Sequence, residues 1–531
     1  MNDLDFSQPY SSRRSPLLAR NVVATSQPLA AQAGLRMLLA GGNAVDAALA
    51  AAITLPVVEP TGNGLGSDAF AILWDGTSLH GLNASGRSPA GWTPQRFAGR
   101  EAMPIRGWDS VTVPGAVSAW VALSERFGKL PFEKLFEPAI DYARNGFPVS
   151  PVIATLWARA AETLSEQPGW AACFMPAARA PRAGEVFRSE PMARSLELIA
   201  ASRGEAFYRG ELTEGLVAHA REHGGVMNLE DLAKHRADWC GTVAAPYRGL
   251  ELHEIPPNGQ GLAACIALGI LEHLDLADHT PDSPESLHLQ IEAMKLALAD
   301  IYAYVADPEA MPFPAARLLA PDYLASRAKL VDRREARVPD YGVPSSGGTV
   351  YLSAADADGR MVSYIQSNYM GFGSGVVVPD TGISLQNRGA GFVLEPGHPN
   401  LVGPNKRPFH TIIPGFLMEN GKPLMSFGVM GGPMQTQGHV QMTVRLRDYQ
   451  QNPQAASDAP RWRVLGENQV AVETTLPLET VAALEARGHR ISREPPEAAF
   501  GFGGAQLILR LADGHYCAGS DHRKDGQAVG F

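Results

Sequence analysis

Thr349 follows two glycines, Gly347 and Gly348, at the end of a polar linker, and a clean strand pattern begins with it: "PSSGGTVYLSAADADG". A threonine hydroxyl in mid-chain is a poor nucleophile. As the first residue of a chain it gains a base, because its own α-amino group titrates at about 8. Such a threonine can also free itself. Its Oγ attacks the preceding carbonyl, an ester forms, and water releases the upstream chain. That step needs a preceding residue with little bulk and an adaptable backbone, which Gly347-Gly348 supplies. A glycine-rich loop that merely enters a sheet accounts for the same residues. On this stretch alone both readings stand.

Other chemistries find no support in the spacing. "GLGSDA", Gly64 to Ala69, matches a relaxed dinucleotide fingerprint, but a helical pattern precedes it and a strand pattern follows, the reverse of the required order. No Walker A sequence and no GxSxG elbow occurs. The fourteen histidines form no HExxH, and the four cysteines form no CxxC, so no metal site or cofactor is expected. A formal charge of −10 argues against a nucleic-acid surface.

The elements that must position Thr349 are legible. "SQPLAAQAGLRMLLAGGNAVDAALAAAITL" predicts two helices, the first capped by Ser26 and stopped at Gly41-Gly42, the second opened by Asn43. Two further helices end at Gly128 and Gly146. Apolar residues at Leu287, Ile291, Met294, Leu298 and Ile301 predict another between Ser283 and Val305. Beyond Thr349 the texture changes. Asp358-Gly359, Asn420-Gly421 and Asp513-Gly514 each separate two strand-like runs, and Asp75-Gly76 does so earlier, as in β-hairpins. Antiparallel sheets covered by helices follow, an α+β protein. There is no internal repeat. The one linker-like stretch, Arg333 to Gly348, ends at Thr349.

With the segments "LLAGGNAVDAALAAA", "VPGAVSAWVAL", "PAIDYARNGF" and "GGVMNLEDLAKH", followed in order by "TVYLSAADADG", "FGSG", "GPNKRP", "GVMGG" and "SDHRKDG", the chain resembles the γ-glutamyltransferase family of N-terminal-nucleophile hydrolases over nearly its whole length. The resemblance implies an αββα sandwich, autocleavage at Gly348–Thr349, and two products, a large subunit 1–348 and a small subunit 349–531. These would stay together as a heterodimer, with further dimerisation left open. It makes Thr349 nucleophile and base. Ser367 stands where the family keeps a threonine that bonds the freed amine, Gly431 and Gly432 where backbone N–H groups form an oxyanion hole, and Arg87 where a substrate carboxylate is held.

The chain also departs from the family. Where the family has an acid for the substrate's α-amino group, the run is "LQNRGAGF"; Gly391 takes the acid's place and Arg388 stands three residues before it. His410 and Thr411 replace a serine pair, and Tyr369 fills a place often held by Asn or Glu. A desolvated ammonium needs a carboxylate partner, whereas an arginine offers a fork to a carboxylate. Cleavage of a γ-glutamyl amide such as glutathione remains the first reading. The alternative is a small amide with a carboxylate and no amino group, because "LQNRGA" resembles the oxamate amidohydrolase branch. A β-lactam side-chain acylase and an uncleaved, non-catalytic homologue stand behind these. The N-terminus lacks the apolar core of a secretory signal and no apolar run is long enough for a bilayer, so a cytoplasmic protein without membrane contact is expected.

Overall fold

The computed structural model describes residue 6 and residues 13–339, 348–496 and 501–531. Gly347, and with it residues 340–346 of the linker before Thr349, lies outside the described residues, so the geometry of the expected cleavage point is seen from its Gly348–Thr349 side alone.

Two seven-stranded sheets form the centre. The first runs Gln527–Gly530, Val22–Thr25, Gly348–Ala355, Met361–Tyr369, Asp68–Trp74, Leu79–Asn83 and Asp238–Trp239. The second runs Leu17–Ala19, Tyr516–Ser520, Ala505–Arg510, Lys422–Val429, Gly415–Glu419, Leu250–Glu254 and Val243–Tyr247. Neighbouring strands in both are antiparallel. All four Asx-Gly turns join paired strands as expected. Residues before and after 348 therefore share both sheets.

Burial sorts the strands into layers. Along the Thr349 strand, Val350, Leu352 and Ala354 join a core that contains the helix Ala44–Val58, while Tyr351 and Ala355 face the opposite sheet. Side chains alternate across a strand, so Thr349 shares the inter-sheet face with Tyr351. That middle layer also holds Phe70, Ile365, Ile412, Phe416 and Ile508. A third core lies beneath the helices Leu262–Leu271, Pro284–Tyr304 and Met434–Arg447. The order of layers is helix, sheet, sheet, helix.

All fifteen residues of Ala44–Val58 are buried, which explains a helix so apolar on every side. Asn43 opens it with a capping box, its side chain accepting from Val45 and Asp46 N–H while Asp46 accepts from Asn43 N–H at 2.8 Å. The preceding helix differs from expectation by one residue. Gln27, not Ser26, caps it, because Pro28 is the first helical residue; the Ser26 hydroxyl instead donates to Glu59 at 2.5 Å. The helix Pro284–Tyr304 buries more than its predicted stripe, taking His288, Glu292 and Lys295 inside as well. Among the described residues no helix is long and apolar enough to cross a membrane.

Candidate active site

Three adjacent strands of the first sheet bring Thr349, Ser367 and Asp68 side by side. Ser367 is in register with Asp68, and the pairing of the Thr349 strand slips between Gly348 and Val350, opposite Tyr369 and Gln366. Ser367 and Asn368 together stand opposite Thr349 there, so the extra residue of the bulge belongs to the Ser367 strand, whose side chains it re-aims. Thr349 Oγ1 lies 3.2 Å from Ser367 Oγ, and Ser367 Oγ accepts from the Tyr369 N–H at 2.7 Å. Thr349, Ser367 and Asp68 are fully buried.

The second sheet supplies the opposite wall. Its strand Lys422–Val429 runs into Gly431 and Gly432, which have φ of 121° and 60°, and then into the helix Met434–Arg447. L-residues with side chains rarely adopt such angles, so glycine is needed here. Among the described residues no hydrogen bond runs from the N–H of Gly431 or Gly432. Their carbonyls are used: Gly431 O accepts from Met434 N–H and Gly432 O from Gln435 N–H, both at 3.1 Å. Gln260 Nε2 also donates to Gly432 O at 2.9 Å and to the carbonyl of Thr411. The peptide units are thus fixed, and their N–H groups sit just before the N-terminus of the helix Met434–Arg447, the positive end of its dipole.

Arg388 forms the floor. It is 1 % exposed, so it does not turn towards solvent. Its Nη1 donates to Thr411 Oγ1 at 2.8 Å, and its Cζ lies 4.6 Å from the centre of the Tyr369 ring. Tyr369 has a left-handed backbone, φ 79°, a costly conformation for a residue with this side chain. Arg388 Nε and Nη2 are buried and have no hydrogen-bond partner among the described residues. These two atoms form the side-on edge that grips a carboxylate with two parallel bonds.

Behind the floor, Asp68 Oδ1 accepts from Gly115 and Gly86 N–H at 3.1 and 3.3 Å, and Oδ2 lies 3.1 Å from His410 Nε2. Burial pushes the Asp68 carboxyl up to about 7 against the pull of Arg388 and of those N–H groups. Burial, with the charges of Arg388 and Arg407 added, holds His410 well below the ordinary histidine range and keeps its ring neutral. His410 packs edge-on against Phe70 at 4.8 Å. Its contacts are with this buried support and not with the open edge of Arg388.

Thr349, Ser367, Gly431, Gly432, Tyr369, Arg388 and Thr411 therefore converge, with His410 behind them. Arg87 does not join them. Its guanidinium pairs with Asp307 at 2.9 Å and bonds the Asn405 carbonyl, in a half-exposed cleft with Lys234, Arg236 and Arg407. The contacts seen here are through its Nη1, and none of them reaches Thr349, Arg388 or Tyr369. Gly391 explains the missing family acid in steric terms, since a Cβ there would lie 2.4 Å from the Phe409 carbonyl oxygen. The "GLGSDA" glycines serve packing, and a Cβ on Gly64 would meet Ser384 Oγ at 2.1 Å.

Sequence reasoning missed Asp68, Gln260 and Gln435. Asp68 left one signal, an acid inside an otherwise apolar strand; the two glutamines left none. Among the described residues one group has metal-like spacing, His288, Glu292 and His489. Lys295 Nζ sits 2.5 Å from Glu292 and the two histidines bond each other at 2.8 Å, so the group is already engaged within the protein, away from Thr349.

Residues 30–531 match the gamma-glutamyltranspeptidase family. The glutathione hydrolase-like YwrD proenzyme of Bacillus subtilis is 37% identical over 526 residues, 98% of this chain and 100% of that one. The oxamate amidohydrolase proenzyme of Klebsiella pneumoniae is 35% identical over 519 residues, 95% and 97% of the two chains. Among solved structures, a cephalosporin acylase from Bacillus halodurans superposes with a TM-score of 0.95 at 48% identity, covering 100% of this chain and 99% of that one.

Proposed function

Since the chain belongs to the gamma-glutamyltranspeptidase family, whose members are made as proenzymes and process themselves into amide hydrolases, we propose that it cuts itself before Thr349 and then hydrolyses a small amide bearing a carboxylate and no α-amino group. The cut leaves 1–348 and 349–531 as two subunits that share both sheets. The observation that carries the substrate class is the side-on edge of Arg388, buried and without a partner among the described residues. A buried guanidinium edge is costly to leave unmet, and a carboxylate meets it.

The reaction follows from the positions of the atoms. Thr349 Oγ attacks the amide carbonyl and its proton passes to the freed α-amine. The oxyanion is received by the N–H groups of Gly431 and Gly432. The ammonium of Thr349 protonates the departing amine or ammonia, and an ester remains on Oγ. Water then adds, and carboxylic acid and Thr349 are regenerated. Ser367 orients the nucleophile, Arg388 holds the carboxylate, Thr411 and Tyr369 hold Arg388, and Asp68 with His410 backs the floor.

This reverses the order in which the sequence ranked γ-glutamyl and amino-free amides. An ammonium would have to lie against Arg388, and the acid in reach, Asp68, has its oxygens committed to His410, Gly86 and Gly115. The oxamate amidohydrolase relative supports the smallest member of the class. The likeness to a cephalosporin acylase supports a second reading, a longer acyl group. Both are decided by kcat/KM along oxamate, malonamate, succinamate and glutaramate, beside a γ-glutamyl anilide. The proposal expects a maximum within the amino-free series. Turnover of the γ-glutamyl anilide alone would sink it.

A further inference from the structure

The amide of Gln435 stands against the oxygen that does the chemistry. Its Nε2 lies 3.2 Å from Thr349 Oγ1, and the residue is fully buried in the first turn of the helix Met434–Arg447. The orientation of that amide is decided by its other end, where Oε1 accepts from the Ile413 N–H at 3.0 Å. Flipping it would set two donors against each other, so the Nε2 side faces Oγ. Its backbone is held as well, since Gln435 N–H donates to Gly432 O.

A fixed donor on Oγ has unequal effects in the two halves of the reaction. In the tetrahedral intermediate of ester formation, Oγ and the substrate nitrogen compete to leave, and a donor on Oγ favours return to substrate. In ester hydrolysis, Oγ competes with the entering water. There the carbon–Oγ bond must break with its electron pair going to Oγ, and the proton that water gave to the α-amine returns to Oγ. A donor already aimed at Oγ stabilises that departing alkoxide. The same bond breaks in self-processing, when the ester between Gly348 and Thr349 is hydrolysed.

We propose that Gln435 is a catalytic residue of the ester-hydrolysis step, its side-chain amide donating to Thr349 Oγ as that oxygen leaves. The proposal rests on Thr349 as the ester-forming residue. Gln435→Met keeps the volume and removes the donor; Gln435→Glu keeps the oxygen facing Ile413 and removes the donor differently. Both should lower kcat by about 10- to 100-fold, the range for a hydrogen bond to a charged oxygen. KM should fall with kcat, so that kcat/KM changes little.

The deciding measurement is mass spectrometry of the 349–531 fragment during turnover, with hydroxylamine to cleave esters. Acyl-enzyme accumulating in both variants, with a burst of amine release, is the expected result. If a variant stops before self-cleavage, a precursor split by hydroxylamine at Gly348–Thr349 supports the assignment and an amide-linked precursor resistant to it overturns it. Lower kcat without acyl-enzyme, or unchanged kcat, also overturns it. Thr349→Ala separates this from failure of the nucleophile assignment, because it can hold no ester in any background.

Discussion

Arg388 gives its Nη1 to the hydroxyl of Thr411 at 2.8 Å, while the other edge of the guanidinium, Nε and Nη2, is buried without a hydrogen-bond partner among the described residues. Tyr369 stacks beneath it and backs it as a flat, immobile fork. If Arg388 holds the substrate as proposed, the cation is ordered before substrate arrives, and the desolvation of its edge is met by folding.

Arg388→Met should therefore remove two charge-assisted hydrogen bonds and lower kcat/KM for a carboxylate substrate by roughly 3 kcal/mol, about two orders of magnitude. Arg388→Lys should recover little, since an ammonium cannot reproduce the parallel bonds. Thr411→Val should raise KM several-fold and leave kcat near wild type, because it frees the fork without removing it. Steady-state kinetics on oxamate and succinamate measure all three. Equal losses on a γ-glutamyl anilide would deny Arg388 a part in selectivity.

Self-processing gives a second expectation. Wild type on a denaturing gel should resolve into bands for residues 1–348 and 349–531, and Thr349→Ala should remain one inactive band. Ser367→Ala should cleave slowly and keep weak turnover, as Ser367 touches Oγ at 3.2 Å without being consumed. A wild-type protein that stays whole yet active would remove Thr349 from both roles.

The parts of this site that lie within one stretch of chain were legible, and those assembled from distant stretches were not. Thr349, Gly431 and Gly432 were reached through the resemblance of "TVYLSAADADG" and "GVMGG" to the family's segments, and each lies within one short stretch of chain. The strands around them follow from four Asx-Gly turns. Arg388 was visible as a cation where an acid was expected, but its unmet edge depends on Thr411, twenty-three residues on, and on Tyr369 nineteen before. Arg87 shows the same limit. Nothing in "NASGRSP" tells that Asp307 lies beside it, because that partner is supplied by tertiary packing.

A stability prediction comes from "SDHRKDG". Asp521 is fully buried, 2.5 Å from Arg461 and 3.1 Å from Arg523, and it accepts from the Ala505 N–H at 2.6 Å. Arg523 is paired again with Glu473. Asp521→Asn keeps the shape and leaves two buried guanidinium groups facing each other, a change expected to cost about 3–5 kcal/mol. The denaturant midpoint should fall, with the strands Ala505–Arg510 and Tyr516–Ser520 losing hydrogen-exchange protection first. An unchanged midpoint would mean the surrounding carbonyls suffice for both arginines.

Asp68 makes the pH dependence of binding predictable. Burial raises its pKa to about 7, with Arg388 opposing that rise. Below pH 7 the carboxyl carries a proton and Arg388 presents its full charge to the substrate. As pH rises through 7 the carboxylate forms and competes for that charge, so affinity for a carboxylate substrate falls. The α-amine of Thr349 imposes the opposite trend, because it can act as base only once its proton is lost, which for an unperturbed α-amine happens at about 8. For oxamate, kcat/KM should therefore pass through a maximum near neutrality. For oxamide, the neutral diamide of the same shape, it should continue to rise, because no carboxylate is there to be weakened. Asp68→Asn retains an acceptor for Gly86 and Gly115 and cannot ionise, so its oxamate profile should lose the descending limb and follow the oxamide curve. If the two substrates share one profile in the wild type, the coupling between Asp68 and substrate charge is absent. Were Asp68→Asn to keep the descending limb, another group would have to be the one that titrates.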